Sequence, residues 1–187
     1  MTNNRDNVAD RDKDKDKDKD KRNYNFNEIL DWVNLKILQI LDKNSLTPFI
    51  EISKIIGISD ATVHLRIKKM QQFGLIKKFT VSMNNYSLGF RILVFIGIKI
   101  TCDPELVIYK ISKIEEVLEI HEIYNTFDLL IKLRTRSFDQ LREIIALKIK
   151  NIEGIENITV LNVLKTHKEE FNCALEKEID NKMLKYF

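Results

Sequence analysis

The stretch that most constrains this 187-residue chain is a pair of short apolar-faced segments divided by one glycine, PFIEISKII-Gly57-ISDATVHLRIKKMQQFG. Pro48 stands where a first helical turn tolerates it, with Thr47 as the expected cap, so a helix is predicted over 48–56 with Ile52, Ile55 and Ile56 buried. Gly57 breaks that helix and permits a tight turn. Ser59 is a good cap for the next helix, predicted over 60–73 and closed by Gly74. Upstream, residues 28–43 place Leu30, Val33, Ile37, Leu38 and Leu41 at three- and four-residue spacing, which predicts a further amphipathic helix. Three short helices with a glycine turn between the second and third follow the helix-turn-helix plan.

That plan gives the last helix a job. Val63, Ile67 and Met70 fall on one side and are expected to pack inward. Ala61, Thr62, His64, Leu65, Lys68 and Lys69 fall on the others. Short groups near the helix start can approach base edges in a major groove about 12 Å wide, while lysines further along reach phosphates. Ser59 and the first-turn amides, starting at Asp60, are placed to hold a phosphate. Charge is distributed accordingly. The whole chain is only +3, but residues 28–78 carry 8 Lys/Arg against 5 Asp/Glu, and five of those cations (Arg66, Lys68, Lys69, Lys77, Lys78) lie between 66 and 78. A basic stripe beside a helix is the footprint of phosphate binding. Plainer readings stand beside this one: a solvated helix face, His64 as a surface histidine, or a helix-turn-helix that docks protein instead of DNA.

Beyond Gly74, LIKKFTVSMN is rich in β-branched and aromatic residues, and a strand is predicted over 76–83. Lys77 and Lys78 would then stand at the base of a β-hairpin wing. Residues 91–101 form a nearly continuous apolar strand. A helix opened by Asp103-Pro104 is expected over 104–115, strands over 117–124 and 126–135, a helix capped by Ser137 to about 150, and a last strand over 155–166. This β-α-β-β-α-β order is the ferredoxin-like plan, an antiparallel sheet with helices on one face and the other face left for water or a partner. Phe171, Leu175, Ile179 and Met183 recur every four residues and predict an amphipathic C-terminal helix that must lie against the sheet domain or another subunit.

The fold class expected is therefore α+β: a charged tail at 1–27, a winged helix-turn-helix at 28–84, a βαββαβ domain at 85–167 and a terminal helix at 168–187. The tail contains RDKDKDKDKDK, which has nothing to bury and reads as disordered, or as a DNA-touching arm. Cys102 and Cys173 lack partner spacing and read as reduced thiols in a cytoplasmic protein. No apolar run reaches 18 residues, so no membrane span is expected. With no Ser/His/Asp grouping, metal-ligand cluster or glycine-rich phosphate loop, neither enzymatic activity, cofactor nor metal is expected.

The sequence also resembles the Lrp/AsnC (feast/famine) regulators of bacteria and archaea. The resemblance rests on LDWVNLKILQIL, on FIEISKIIGISDATVHLRIKKMQQFGLIKKFTVSMNNYSLG and on the LVFIGIKI strand, and covers about residues 29–166. It implies a helix-turn-helix near 49–68 with Ser59, Thr62, His64 and Arg66 on or beside the recognition helix. It implies a sequence-specific regulator that binds double-stranded DNA as a homodimer, or as a tetramer or octamer, modulated by an amino acid or other small metabolite. Members that bind amino acids carry Gly-Asp-Tyr/Phe-Asp before the third sheet-domain strand. This chain reads Asn125-Thr126-Phe127-Asp128, keeping only the last two. His121, Tyr124, Asn125, Thr126 and Asp128 are the candidate effector residues, with ordinary turn chemistry as the alternative. Siroheme decarboxylases resemble these regulators in fold, but carry histidine-rich and Asn-x-Trp-Phe sequence where this chain has one histidine and FDLLIKL. A non-specific DNA-packaging protein and a lone ligand-binding modulator are the remaining alternatives.

Overall fold

The computed structural model describes residues 29–183. The charged tail, Glu28 and the last four residues lie outside the described residues. The chain forms two compact units, one running to Val81 and taking up the C-terminal segment from Glu170, the other Ser82–Glu169.

In the first unit, α1 (Trp32–Lys43) starts later than its apolar periodicity suggests, because Asp31 caps it: the Asp31 carboxylate accepts from the Asn34 amide at 2.7 Å. Helix α2 (Phe49–Ile56) begins one residue after Pro48 and has no side-chain cap. The expected cap, Thr47, turns its hydroxyl back to the Asn44 carbonyl at 2.7 Å. Gly57 then adopts φ 82°, a left-handed conformation that favours glycine. Helix α3 (Asp60–Gln72) is capped by Ser59. Ile37, Leu41, Ile52, Val63, Ile67 and Met70 form one buried cluster among the three helices.

The second unit is a four-stranded antiparallel sheet of order β2-β3-β1-β4, where β1 is Ile92–Ile100, β2 Val117–Glu122, β3 Leu129–Thr135 and β4 Ile155–Asn162. Helix α4 (Pro104–Ile111) and helix α5 (Phe138–Glu143) pack on one face. Helix α5 continues as a π-helical turn over Ile144–Ile149. Ile144 and Ile149 are both buried, and a five-residue step returns to the same face only on the wider π turn. Val94, Ile96 and Ile98 of β1 and Leu129, Ile131 and Leu133 of β3 fill the core beneath the helices.

Further expectations fail, beginning with Ile55 of α2, which was expected to be buried and is 61% exposed. Residues 76–83 form no strand, and no wing hairpin exists among the described residues. A returning arm is missing: Asn84–Phe90 coils into a tight turn, with Leu88 donating to Asn84, Gly89 to Tyr86 and Phe90 to Asn85. Phe79, Val81 and Met83 are left exposed. The C-terminal helix, α6 (Glu176–Met183), is also shorter than its four-residue stripe, and Phe171 is 77% exposed. Helix α6 lies on α1, burying Ile179. Gln39 donates to Glu176 and Asn172 donates to Asp42, fastening the segment to α1.

Candidate nucleic-acid interface

Helix α3 presents Ala61, His64, Leu65, Lys68 and Lys69 to solvent, with Thr62 half-buried at the edge of that surface. Leu65 is 66% exposed, far more than an apolar residue with a packing role. Lys77 and Lys78 are exposed on the extended segment just beyond the helix. These eight side chains belong to one unit and share its exposed surface.

Three of the residues expected to touch DNA have other duties. Arg66 points back to α1. Its guanidinium donates to Asp31 at 2.6 Å and to the Asn34 side chain at 3.0 Å. Asn34, almost fully buried, in turn donates to the Ile29 carbonyl at 2.7 Å. Arg66 thus clamps α3 to the start of α1, and its charge is matched by Asp31 although part of the side chain stays exposed. Ser59 accepts from the Thr62 amide at 3.1 Å, and its hydroxyl also bonds the Thr62 hydroxyl at 2.8 Å. Asp60 takes up the Ala61 amide at 2.8 Å. Two first-turn amides expected to cradle a phosphate are therefore already held by Ser59 and Asp60, and the Asp60 carboxylate opposes an anion there. That leaves Lys68 and Lys69 as the solvent-facing cations of α3.

His64 does not project freely. Its ring meets that of Phe49 edge-on, with centroids 5.7 Å apart and planes at 63°. Lys69 lies over the Phe73 ring, 5.8 Å from its centroid. Sequence reading missed Asp31, Asn34 and Phe49. The signal for Asp31 was present, an acid one residue before an apolar-periodic run.

The second candidate site is the turn joining β2 to β3. Asn125 holds φ 106°, the conformation glycine would favour, so the turn survives without glycine. Its carbonyl accepts from Lys99 at 3.2 Å. Asp128 accepts from the Ile100 amide at 2.9 Å and from Lys99 at 3.2 Å. The Ile100 amide first, then Lys99, hold the Asp128 carboxyl below its ordinary value of 3.8. Phe127 lies over Gly97 of β1, where a Cβ would stand 2.5 Å from the ring. A glycine inside a strand signals such close approach. The other expected effector residues are not gathered here: Tyr124 is fully exposed, Thr126 is exposed, and His121 pairs with Glu119 at 3.2 Å. Glu119 also binds Lys132 at 3.0 Å, and Glu169 bridges Lys132 and Arg134.

Family models agree with this division. A winged helix-turn-helix DNA-binding model matches residues 33–77, and the Lrp/AsnC ligand binding domain matches residues 93–172. The HTH-type transcriptional regulator FL11 of Pyrococcus furiosus is 39% identical over 142 residues, covering 75% of this chain and 93% of its own. The chain belongs to the Lrp/AsnC family of transcriptional regulators. As such it is a DNA-binding regulator, built as an N-terminal helix-turn-helix and a C-terminal ligand-binding-type sheet domain. Among solved structures, AsnC of E. coli is 29% identical with TM-score 0.72, covering 75% of this chain and 95% of that one. A transcriptional regulator of Neisseria meningitidis, solved with L-Met, shares the fold at TM-score 0.73 and 19% identity, covering 78% of this chain and 97% of that one. No helix among the described residues is long and apolar enough to cross a membrane.

Proposed function

We propose that this Lrp/AsnC regulator reads specific operator DNA with α3, as a homodimer or a multiple of one assembled through the sheet domain, and that it works by binding and not by catalysis. The observation that carries the reading is the outward surface of α3, where Ala61, Thr62, His64 and Leu65 precede Lys68 and Lys69. Base-contacting groups stand near the helix start, phosphate-contacting ones follow, and Lys77 and Lys78 extend the basic track. Arg66 supports the surface from behind by fixing α3 to α1. Ser59 and Asp60 act as the cap.

The open face of the sheet supports the two-fold assembly. Leu161 is 45% exposed there and Phe95 half-buried beside it, in a unit that folds with helices on only one side. A symmetric pair would expect half-sites about one helical turn apart.

A small ligand with a free amine and carboxylate, an amino acid in the simplest case, is the effector class the 125–128 turn suits best. Lys99 offers a cation, Asp128 an anion, and Asn125 a turn backbone open to solvent. Its binding would compete with the Lys99–Asp128 pair already present.

Footprinting of genomic fragments tests the reading. Protection of a discrete pair of half-sites is expected. Uniform coating of every duplex would instead mark a packaging protein. Repeating the footprint with each amino acid reports on the effector, through a change in affinity or in the spacing protected.

A further inference from the structure

We infer that Phe49, on α2, is a specificity-determining residue: it sets the orientation of the His64 imidazole and so tunes which base His64 accepts. The inference rests on the reading of α3 as the DNA-contacting helix.

Phe49 is well fixed. It opens α2 directly after Pro48, whose ring holds φ at −61°. It is half-buried and packs on the cluster formed by Ile52, Val63 and Ile67. His64, by contrast, is exposed and sits on the outer face of α3. The two rings meet at 5.7 Å and 63°, the edge-to-face geometry aromatic pairs prefer. A fixed ring therefore braces a free one, across the turn of the helix-turn-helix.

The chemical consequence is directional. An exposed imidazole unassisted samples several rotamers, and each offers its ring nitrogens to a different position in the groove. Packing against Phe49 selects among them before DNA arrives, so less conformational freedom is lost on binding. Reading the wrong base would require His64 to leave the Phe49 ring. The effect belongs in discrimination between bases. Non-specific binding depends on Lys68, Lys69, Lys77 and Lys78, none of which Phe49 touches in the contacts described, and should be spared.

The test uses the full chain and its operator, found by selection from random duplex. Affinity is measured for that operator, for each single-base variant of one half-site and for a scrambled duplex, with F49Y, F49L, H64A and the double variant F49L/H64A. H64A should change preference at one base-pair position. F49L should reduce discrimination at that same position about two- to tenfold, as loss of an aromatic pair implies, with scrambled-duplex affinity within about twofold of the parent. F49Y should keep the parent preference. The double variant should be no worse than H64A alone at that position, since the two residues act as one. Thermal melts of each variant separate folding from recognition, and F49Y reports even where F49L folds poorly.

Unchanged preference in F49L, lost preference in F49Y, or additive losses in the double variant overturn the inference while leaving the α3 reading intact. Unchanged preference in H64A overturns the inference together with the role of His64. Equal affinity of the parent protein for operator and scrambled duplex overturns the α3 reading itself.

Discussion

Arginine and lysine on the same helix do different work in this protein, and substitution should separate them. Arg66 is three-tenths exposed and paired with Asp31 at 2.6 Å, so Arg66→Ala should lower unfolding free energy by about 1–2 kcal/mol, read from denaturant midpoints. Lys69 is exposed, so Lys69→Ala should leave that midpoint unchanged, weaken operator and scrambled duplex alike, and reduce the salt slope of binding by about one. A midpoint shift in Lys69→Ala equal to that in Arg66→Ala would merge the two roles. Gly97 offers a second test. A methyl there meets Phe127 at 2.5 Å, so Gly97→Ala should cost about 1–3 kcal/mol and displace the turn that carries Asn125 and Asp128, visible as shifted amide resonances of that turn. Residue types alone could not distinguish Arg66 from Lys69. A helical projection sets Arg66 at the edge of the apolar stripe and Lys69 well away from it, but only the packing of α3 beside Asp31 shows what Arg66 pairs with.

Elements whose apolar residues recur on one face were legible, and those that depend on a distant partner were not. Helices α1 and α3 follow from period and caps, α2 from its proline start and glycine break, and strands β1–β4 from their β-branched and aromatic runs. The 76–83 segment has strand-forming residues but no neighbouring strand, and without a ladder its side chains stay exposed. The π turn at 144–149 was hidden because Leu141, Ile144, Ile145 and Ile149 also fit the apolar face of an ordinary α-helix. Helix α6 was visible as an apolar stripe, but its packing surface was not. Ile179 is 2% exposed against α1, so Ile179→Ala should destabilise the first unit by about 2–4 kcal/mol and speed amide exchange in α1 before exchange in β1. Equal protection of α1 with and without the substitution would contradict that packing. On the sheet, Lys132 is 11% exposed between Glu119 and Glu169. Glu169 is held below its ordinary value of 4.5 by its bond from Lys132, against burial. Burial raises Glu119, but bonds from Lys132 and His121 outweigh it and carry its value down as well. Both carboxylates therefore stabilise the fold fully above about pH 4.5 and lose that contribution as pH falls through their lowered native values. Lys132→Met should cost about 1–2 kcal/mol at pH 7 and flatten the acid limb of a stability–pH curve. An unchanged acid limb would show that the cluster is not coupled.

At the scale of the whole molecule, the chain separates a helix-turn-helix unit from a sheet unit, and the separation was readable as a change from helical period to alternating βαββαβ order. The route of the C-terminus was not, since nothing in the order of elements says that residues after Glu169 rejoin the first unit. The charge pattern also becomes intelligible at this scale. A net charge of +3 steers weakly, but the exposed cations of residues 68–78 concentrate attraction on the first unit. Sedimentation of the protein alone should give a dimer or a multiple of one, and a monomer at micromolar concentration would remove the two-fold operator from the account. The most direct test of the central claim is the affinity of the full chain for its selected operator and for a scrambled duplex, measured across a series of salt concentrations. Operator binding tighter by about 10³-fold or more, with both affinities falling linearly on a log–log plot, is the predicted result. Operator and scrambled affinities that coincide at every salt concentration would contradict it.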